Sequence, residues 1–276
     1  MHEPLGGERM TALGLDGVDL SYTDLGTGDP LLLVHGTGAY SAIWGEVSGQ
    51  LAGSHRVIVY DRRGFGASQG VRAQHPHQHA QDAAALLEHI GAVPAVVVGW
   101  SGGGAIALDL AASRPELVSF LVLIEPAVSL ILAPSMGTLR MSLQMQFRWR
   151  IQRDERAAAA TMYRWANSYT TGGNAFDRLP LEEQEGMLVH SLSTLLEMDQ
   201  ITRPFPSSKA VSSIGCPVTC LQGSLSDPVF PRAVRRLRRR LPQTKVVEIE
   251  GGAHMLHRDR PDEWVRAVLD AAPSPA

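Results

Sequence analysis

VVVGWSGGGAIAL, residues 96–108, runs a block of valines into a serine fenced by glycines and then into small apolar residues. An apolar run without alternation is how a strand covered on both faces reads, and the alanine- and leucine-rich stretch after it suits a helix. Gly99-Trp100-Ser101-Gly102-Gly103 is therefore G-x-S-x-G set between a predicted strand and a predicted helix, the context in which that pattern carries a nucleophile. The glycines make room for a tight, strained turn that projects the serine oxygen above the sheet. A phosphate-binding turn is the competing reading, but neither G-x-G-x-x-G spacing nor a Walker lysine is present. Ser101 is the candidate nucleophile.

Working outward, TALGLDGVDLSYTDLG reads as two short strands turning at Asp16-Gly17, and further strand-length apolar runs fall at 31–36, 56–61, 120–125, 217–223 and 245–251. Helical patterns fall at 79–91, 103–115, 231–242 and 262–272. Alternating strands and helices predict an α/β fold, a mostly parallel central sheet with helices on both faces. From Ala127 to Phe205 no strand is evident, and six of the nine methionines lie there with Phe147, Trp149, Tyr163, Trp165 and Tyr169. That interval is expected to be a helical cap inserted after the sixth strand. The predicted division is a core of 1–126 and 206–276 and a cap of 127–205. An insertion between sheet strands sits where those strands end, at the ligand-binding edge of an open parallel sheet.

Composition narrows the classes. The chain has 276 residues, 44% hydrophobic and 19% charged, enough to build a large core, and its formal net charge of −3 gives no general reason to bind nucleic acid. The arginine run from Arg232 to Arg240 reads as the solvated face of a helix whose other face holds Val234, Leu237 and Leu241. Cys216 and Cys220, on one predicted strand, are about 13 Å apart and cannot pair. Two unpaired cysteines, with neither a leader pattern nor a long apolar run, lead to the expectation of a cytoplasmic protein that does not engage a membrane. His75, His77 and His79 alternate, but no cysteine or carboxylate cluster accompanies them, so no metal site is expected.

A serine hydroxyl needs a base within reach, and the base needs an acid to hold its tautomer. Of the ten histidines, His254 alone follows both the last predicted strand and a pair of glycines. His257, at the start of a predicted helix, reads as a neighbour. Two carboxylates compete for the acid: Asp227, just past the strand 217–223, is favoured over Glu125, which ends the strand 120–125.

Beyond Ser101, His35-Gly36-Thr37-Gly38 follows the first long strand, Asp61 to Ser68 reads D-x-R-G-x-G-x-S, and Gly252-Ala253-His254 follows the last strand. In these motifs and their order the chain resembles the α/β-hydrolase superfamily, in its serine esterase and lactonase branch with a helical cap. The resemblance covers nearly the whole chain. It implies the α/β-hydrolase fold, an oxyanion hole formed by the Thr37 and Trp100 amides, substrate contacts at Gly36 and Gly38, and a Ser101-His254-acid triad needing no cofactor. The spacing of Ser101 and Glu125, the Glu125-Pro126 pair and the Met-rich cap are also reminiscent of zearalenone-hydrolysing lactonases.

The expected substrate is a small hydrophobic ester or lactone, with a macrocyclic lactone such as zearalenone among the candidates. Met136, Met162, Trp165 and Tyr169 are the cap residues expected to bind it. A carbon–carbon bond hydrolase and a haloperoxidase-like enzyme share the same triad. A hydrolase-fold receptor for a small hydrophobic ligand is the alternative from another class. Self-association into a homo-oligomer is compatible with all of these readings.

Overall fold

In the computed structural model, residues 10–127, 135–201 and 205–272 are described. Their eight strands are β1 (Thr11–Leu15), β2 (Val18–Leu25), β3 (Pro30–Val34), β4 (Arg56–Tyr60), β5 (Ala95–Trp100), β6 (Val118–Ile124), β7 (Val218–Gly223) and β8 (Lys245–Ile249). They form one sheet in the order β1-β2-β4-β3-β5-β6-β7-β8. The pairs β1–β2 and β2–β4 are antiparallel and the rest are parallel. The first hairpin turns at Asp16 and Gly17, whose φ values of 34° and 80° are the left-handed pair a two-residue hairpin loop requires.

The unbroken apolar strands feed two cores by simple alternation. Leu31, Leu33, Val57, Val59, Val96 and Val98 point to one face; Leu32, Val34, Ile58, Tyr60, Ala95 and Val97 point to the other. Leu31, Leu32 and Leu33 are fully excluded from water, each contributing about 1.5–3 kcal/mol relative to exposure. On the first face lie helices α1 (Glu46–Leu51) and, at the end of the chain, Pro261–Ala271. The second face is covered by α2 (Pro76–His89), α3 (Gly102–Ser113) and the arginine-rich helix Val229–Arg238. Val234, Leu237 and Leu241 are buried while Arg235, Arg238 and Arg239 face solvent, which accounts for the basic run as an amphipathic pattern.

Between β6 and β7 the chain forms α4 (Met136–Gln146), a π-helical turn (Phe147–Ile151), α5 (Glu155–Ala166), α6 (Leu181–Val189), α7 (Ser191–Ile201) and the short α8 (Ser208–Ser212). Ser135 and Asp154 accept from the Thr138 and Ala157 amides, so α4 and α5 start at conventional N-caps. α5 packs between α4 and α7, and Met141, Met145, Met162 and Met187 join the core on the first face. After β7 come α9 (Val229–Arg238), then β8, α10 (Leu256–Asp259) and α11 (Pro261–Ala271). No helix among the described residues is long and apolar enough to cross a membrane. Cys216 and Cys220 are free thiols, and burial raises both pKa values, Cys220 to about 12.

Candidate active site

The site lies at the carboxyl ends of β3, β5 and β6 and in the loop after β8. Ser101 stands between β5 and α3 at φ 54° and ψ −117°, an uncommon conformation for a non-glycine residue. It is held there because its N–H donates to Ile124 O at 2.9 Å and its carbonyl accepts from the Gly104 and Ala127 amides, each at 2.9 Å. The glycines are steric necessities: a Cβ on Gly99 would lie 2.6 Å from Gly103 O, and one on Gly103 would lie 2.2 Å from Val34 O.

Glu125, one residue past β6, is also left-handed at φ 42° and is fully buried. Both of its oxygens are engaged. Oε1 accepts from Gly223 N at 2.9 Å and Oε2 lies 2.8 Å from His254 Nδ1. A carboxylate in this geometry can only accept, so Nδ1 carries the proton and Nε2 is left to serve as a base. His254 is itself buried. The Phe230 ring stacks on it at 3.9 Å, and Trp100 packs against it at 5.5 Å while its indole N–H donates to His254 O at 2.7 Å.

Asp227, the favoured acid in the sequence, is placed elsewhere. Its Oδ1 accepts from Val229 N at 2.9 Å at the start of α9, and the residue is partly exposed. In the turn between β7 and α9 this carboxylate is spent on a local amide two residues on. His257 is buried between Trp44 and Trp100, each 4.9 Å away, and burial pushes its pKa well down.

The structure also places the two amides expected to form an oxyanion hole. Trp100 is the last residue of β5, so its amide belongs to the strand before the nucleophile. Gly102 opens α3, where an N–H has no intrahelical acceptor, and a Cβ there would lie 3.2 Å from Thr37 N. Gly102 and Thr37 are therefore close neighbours beside Ser101. The sequence carried this signal, since the residue after an elbow nucleophile is the first of the helix. Gly36 and Gly38 make space: a Cβ on Gly36 would meet the Trp100 ring at 2.9 Å, and one on Gly38 would meet the Tyr163 hydroxyl at 2.3 Å.

Ser101, His254, Thr37 and Trp100 line a cavity of about 50 Å³ roofed by Met162, Tyr163, Trp165, Ala166, Asn167, Met187 and Met198, with Phe230 at its side. Of the four expected cap residues, Met162 and Trp165 are thus in place. Met136 is not: it sits in the first turn of α4 and is 80% exposed. Tyr169 is buried, but its hydroxyl donates to Asp259 Oδ1 at 2.6 Å and its ring lies against Arg178, tying cap to core. A larger groove of about 420 Å³ runs along β8 and α11 past Lys245, Glu248, Arg260 and Glu263, and holds none of the residues above.

Among the described residues, no group of three or more His, Cys, Asp or Glu side chains is placed to hold a metal ion. His77 pairs with Asp109, His75 stacks on His77 at 6.2 Å, and His79 is buried against Phe65.

Residues 31–268 match the model of the alpha/beta hydrolase family. The chain belongs to that family. Its relatives include a non-heme haloperoxidase of Rhodococcus erythropolis, 38% identical over 112 residues, which are 40% of this chain and 41% of that protein. The match therefore spans about two fifths of the haloperoxidase's length. Over 252 residues the chain is 25% identical to the pimeloyl-[acyl-carrier protein] methyl ester esterase of Yersinia pseudotuberculosis, covering 90% of this chain and 95% of that one. The enol-lactonase of Burkholderia xenovorans LB400 shares the fold with a TM-score of 0.77 at 19% identity, covering 94% of this chain and 98% of the other.

Proposed function

We propose that this hydrolase-family chain cleaves carboxylic esters, lactones included, through an acyl-enzyme. Ser101 is the nucleophile, His254 the general base and Glu125 the acid, with the Thr37 and Gly102 amides as oxyanion donors. The observation that carries the reading is the buried 2.8 Å contact of His254 Nδ1 with Glu125, on a histidine lining the same cavity as Ser101.

In the first half-reaction Ser101 Oγ attacks the carbonyl carbon while His254 Nε2 takes its proton, and Glu125 stabilises the resulting imidazolium. The negative oxygen is met by two amides that are already fixed, so little reorganisation is needed as the charge develops. Collapse expels the alcohol, which recovers the proton from His254. Water activated by the same histidine then releases the acid. In a lactone, acid and alcohol leave as one opened chain.

Size favours short acyl groups. Pockets for drug-sized ligands run to about 300–1,000 Å³, against about 50 Å³ for the cavity among the described residues. A macrocyclic ring such as zearalenone needs more room than this cavity offers among the described residues. The similarity to a haloperoxidase supports a second reading, in which a peroxide takes the place of water as acyl acceptor at the same serine.

The test is a fluorophosphonate probe with peptide-level mass analysis, followed by product analysis on short acyl esters, aryl esters and lactones with wild type and Ser101→Ala. Labelling at Ser101 and products that vanish in the variant are expected. An unlabelled Ser101 together with ligand binding but no turnover would replace this reading with a receptor.

A further inference from the structure

We infer that Glu197, on cap helix α7, and Arg62, on the core, form a positioning pair that aims the Thr37 amide and makes a working oxyanion site depend on a closed cap. The inference rests on the ester-hydrolase reading of this site.

The Gly36–Thr37 peptide is planar and its C=O and N–H point in opposite directions, so whatever holds the carbonyl aims the amide. Besides the Ala39 amide, which donates to it at 3.2 Å, Gly36 O is held by two side chains. It accepts from Arg62 Nη2 at 2.9 Å and lies 2.9 Å from His35 Nδ1. His35 Nε2 in turn accepts from Arg62 N at 3.0 Å, which places the ring proton on Nδ1, toward Gly36. Burial and the Arg62 charge hold His35 neutral, as this arrangement requires.

Arg62 is fully buried, and a lone guanidinium there would be very unfavourable. Its counter-charge comes from the cap. Arg62 Nη1 lies 3.1 Å from both Glu197 oxygens, and Glu197 Oε1 also accepts the Thr37 hydroxyl at 2.8 Å. The same oxygen would lie 3.2 Å from a Cβ on Gly102, so the pair abuts both proposed donors. A bare carboxylate so close would oppose an oxyanion. Neutralised by Arg62 and bound to the Thr37 hydroxyl, it instead fixes the residue whose backbone N–H is to be aimed. A second cap side chain bears on this loop: the Tyr163 hydroxyl donates to Gly38 O at 3.3 Å. Moving α7 away would strip Arg62 of its partner and Thr37 of its anchor in one step.

The test compares Glu197→Gln, Thr37→Val, their double mutant and Arg62→Met/Glu197→Met, the last removing both charges so that no buried ion is left alone. For each, kcat and KM on a short acyl ester, the rate of Ser101 phosphonate labelling and the melting temperature are measured. The expected result is a fall of roughly 10- to 100-fold in kcat and in labelling, with KM within about twofold. The Met/Met protein is expected to melt close to wild type and still show that fall, and the double mutant to be no slower than its slower parent. Met/Met activity and labelling at the wild-type rate, or losses in the double mutant that multiply, would overturn the inference. A wild-type Ser101 that does not label would overturn the ester reading beneath it.

Discussion

Neighbouring strands β6 and β7 each present a carboxylate at the carboxyl edge of the sheet, and their surroundings could hardly differ more. After β6 the backbone folds sharply at Glu125, buries the side chain and gives its oxygens to Gly223 N and His254 Nδ1. After β7 the chain passes through a turn before α9, and Asp227 stays partly exposed with the Val229 amide as its partner. What separates the two carboxylates is thus burial and partner: one faces a histidine, and the other closes a local turn onto the Val229 amide. A left-handed φ at a non-glycine residue costs of order 1–3 kcal/mol, and the contacts around Glu125 hold it there.

The sharpest way to break this comparison is to neutralise each carboxylate in turn. Glu125→Gln is expected to lower kcat by roughly 10⁴-fold, because an amide cannot hold the His254 tautomer and stabilise its charge. Equal losses in Glu125→Gln and Asp227→Asn, read by steady-state kinetics, would erase the distinction.

Acidification probes the same contrast through burial. His35, His79 and His257 are all held well below the ordinary value of 6.5, in each case chiefly by burial. Below pH 6.5 the unfolded chain takes up protons that the folded chain refuses, so the stability these residues contribute is present above 6.5 and lost as pH falls. Each adds up to about 1.4 kcal/mol per pH unit in that window. Melting temperatures should drop between pH 7 and 5.5 and should drop equally in Asp227→Asn. A flat profile would contradict the neutral, buried state of these rings.

A smaller effect is expected at the point where the two strand ends touch. In Gly223→Ala the new methyl would lie 2.3 Å from Gly252 O, displacing the amide that holds Glu125 Oε1. Activity should fall by roughly 10- to 100-fold with a loss of about 1–3 kcal/mol in denaturant melts. Least of all, Asp227→Asn should leave kcat within about threefold and cost at most about 1 kcal/mol, since an asparagine oxygen can still accept from the Val229 amide.

How far the sequence reveals all this depends on how local each signal is. The sheet was legible because buried strands are short apolar runs, and the elbow because its glycines, serine and flanking elements are contiguous. Helix α2 begins at Pro76, ahead of the expected residue 79, because proline is preorganised for a first helical turn. The choice between Glu125 and Asp227 was not legible: it turns on register and on loop direction across β6, β7 and the His254 loop. Met136 misled because helical spacing gives the faces of a helix but not which face looks inward. Arg62 and Glu197 are 135 positions apart, and no local pattern joins them.

Glycine at 223 also makes the two strand ends interdependent. The N–H that closes β7 docks the carboxylate that follows β6, and that carboxylate in turn holds the His254 ring. The spacing of two neighbouring strands is thus transmitted to an imidazole in a loop after a third.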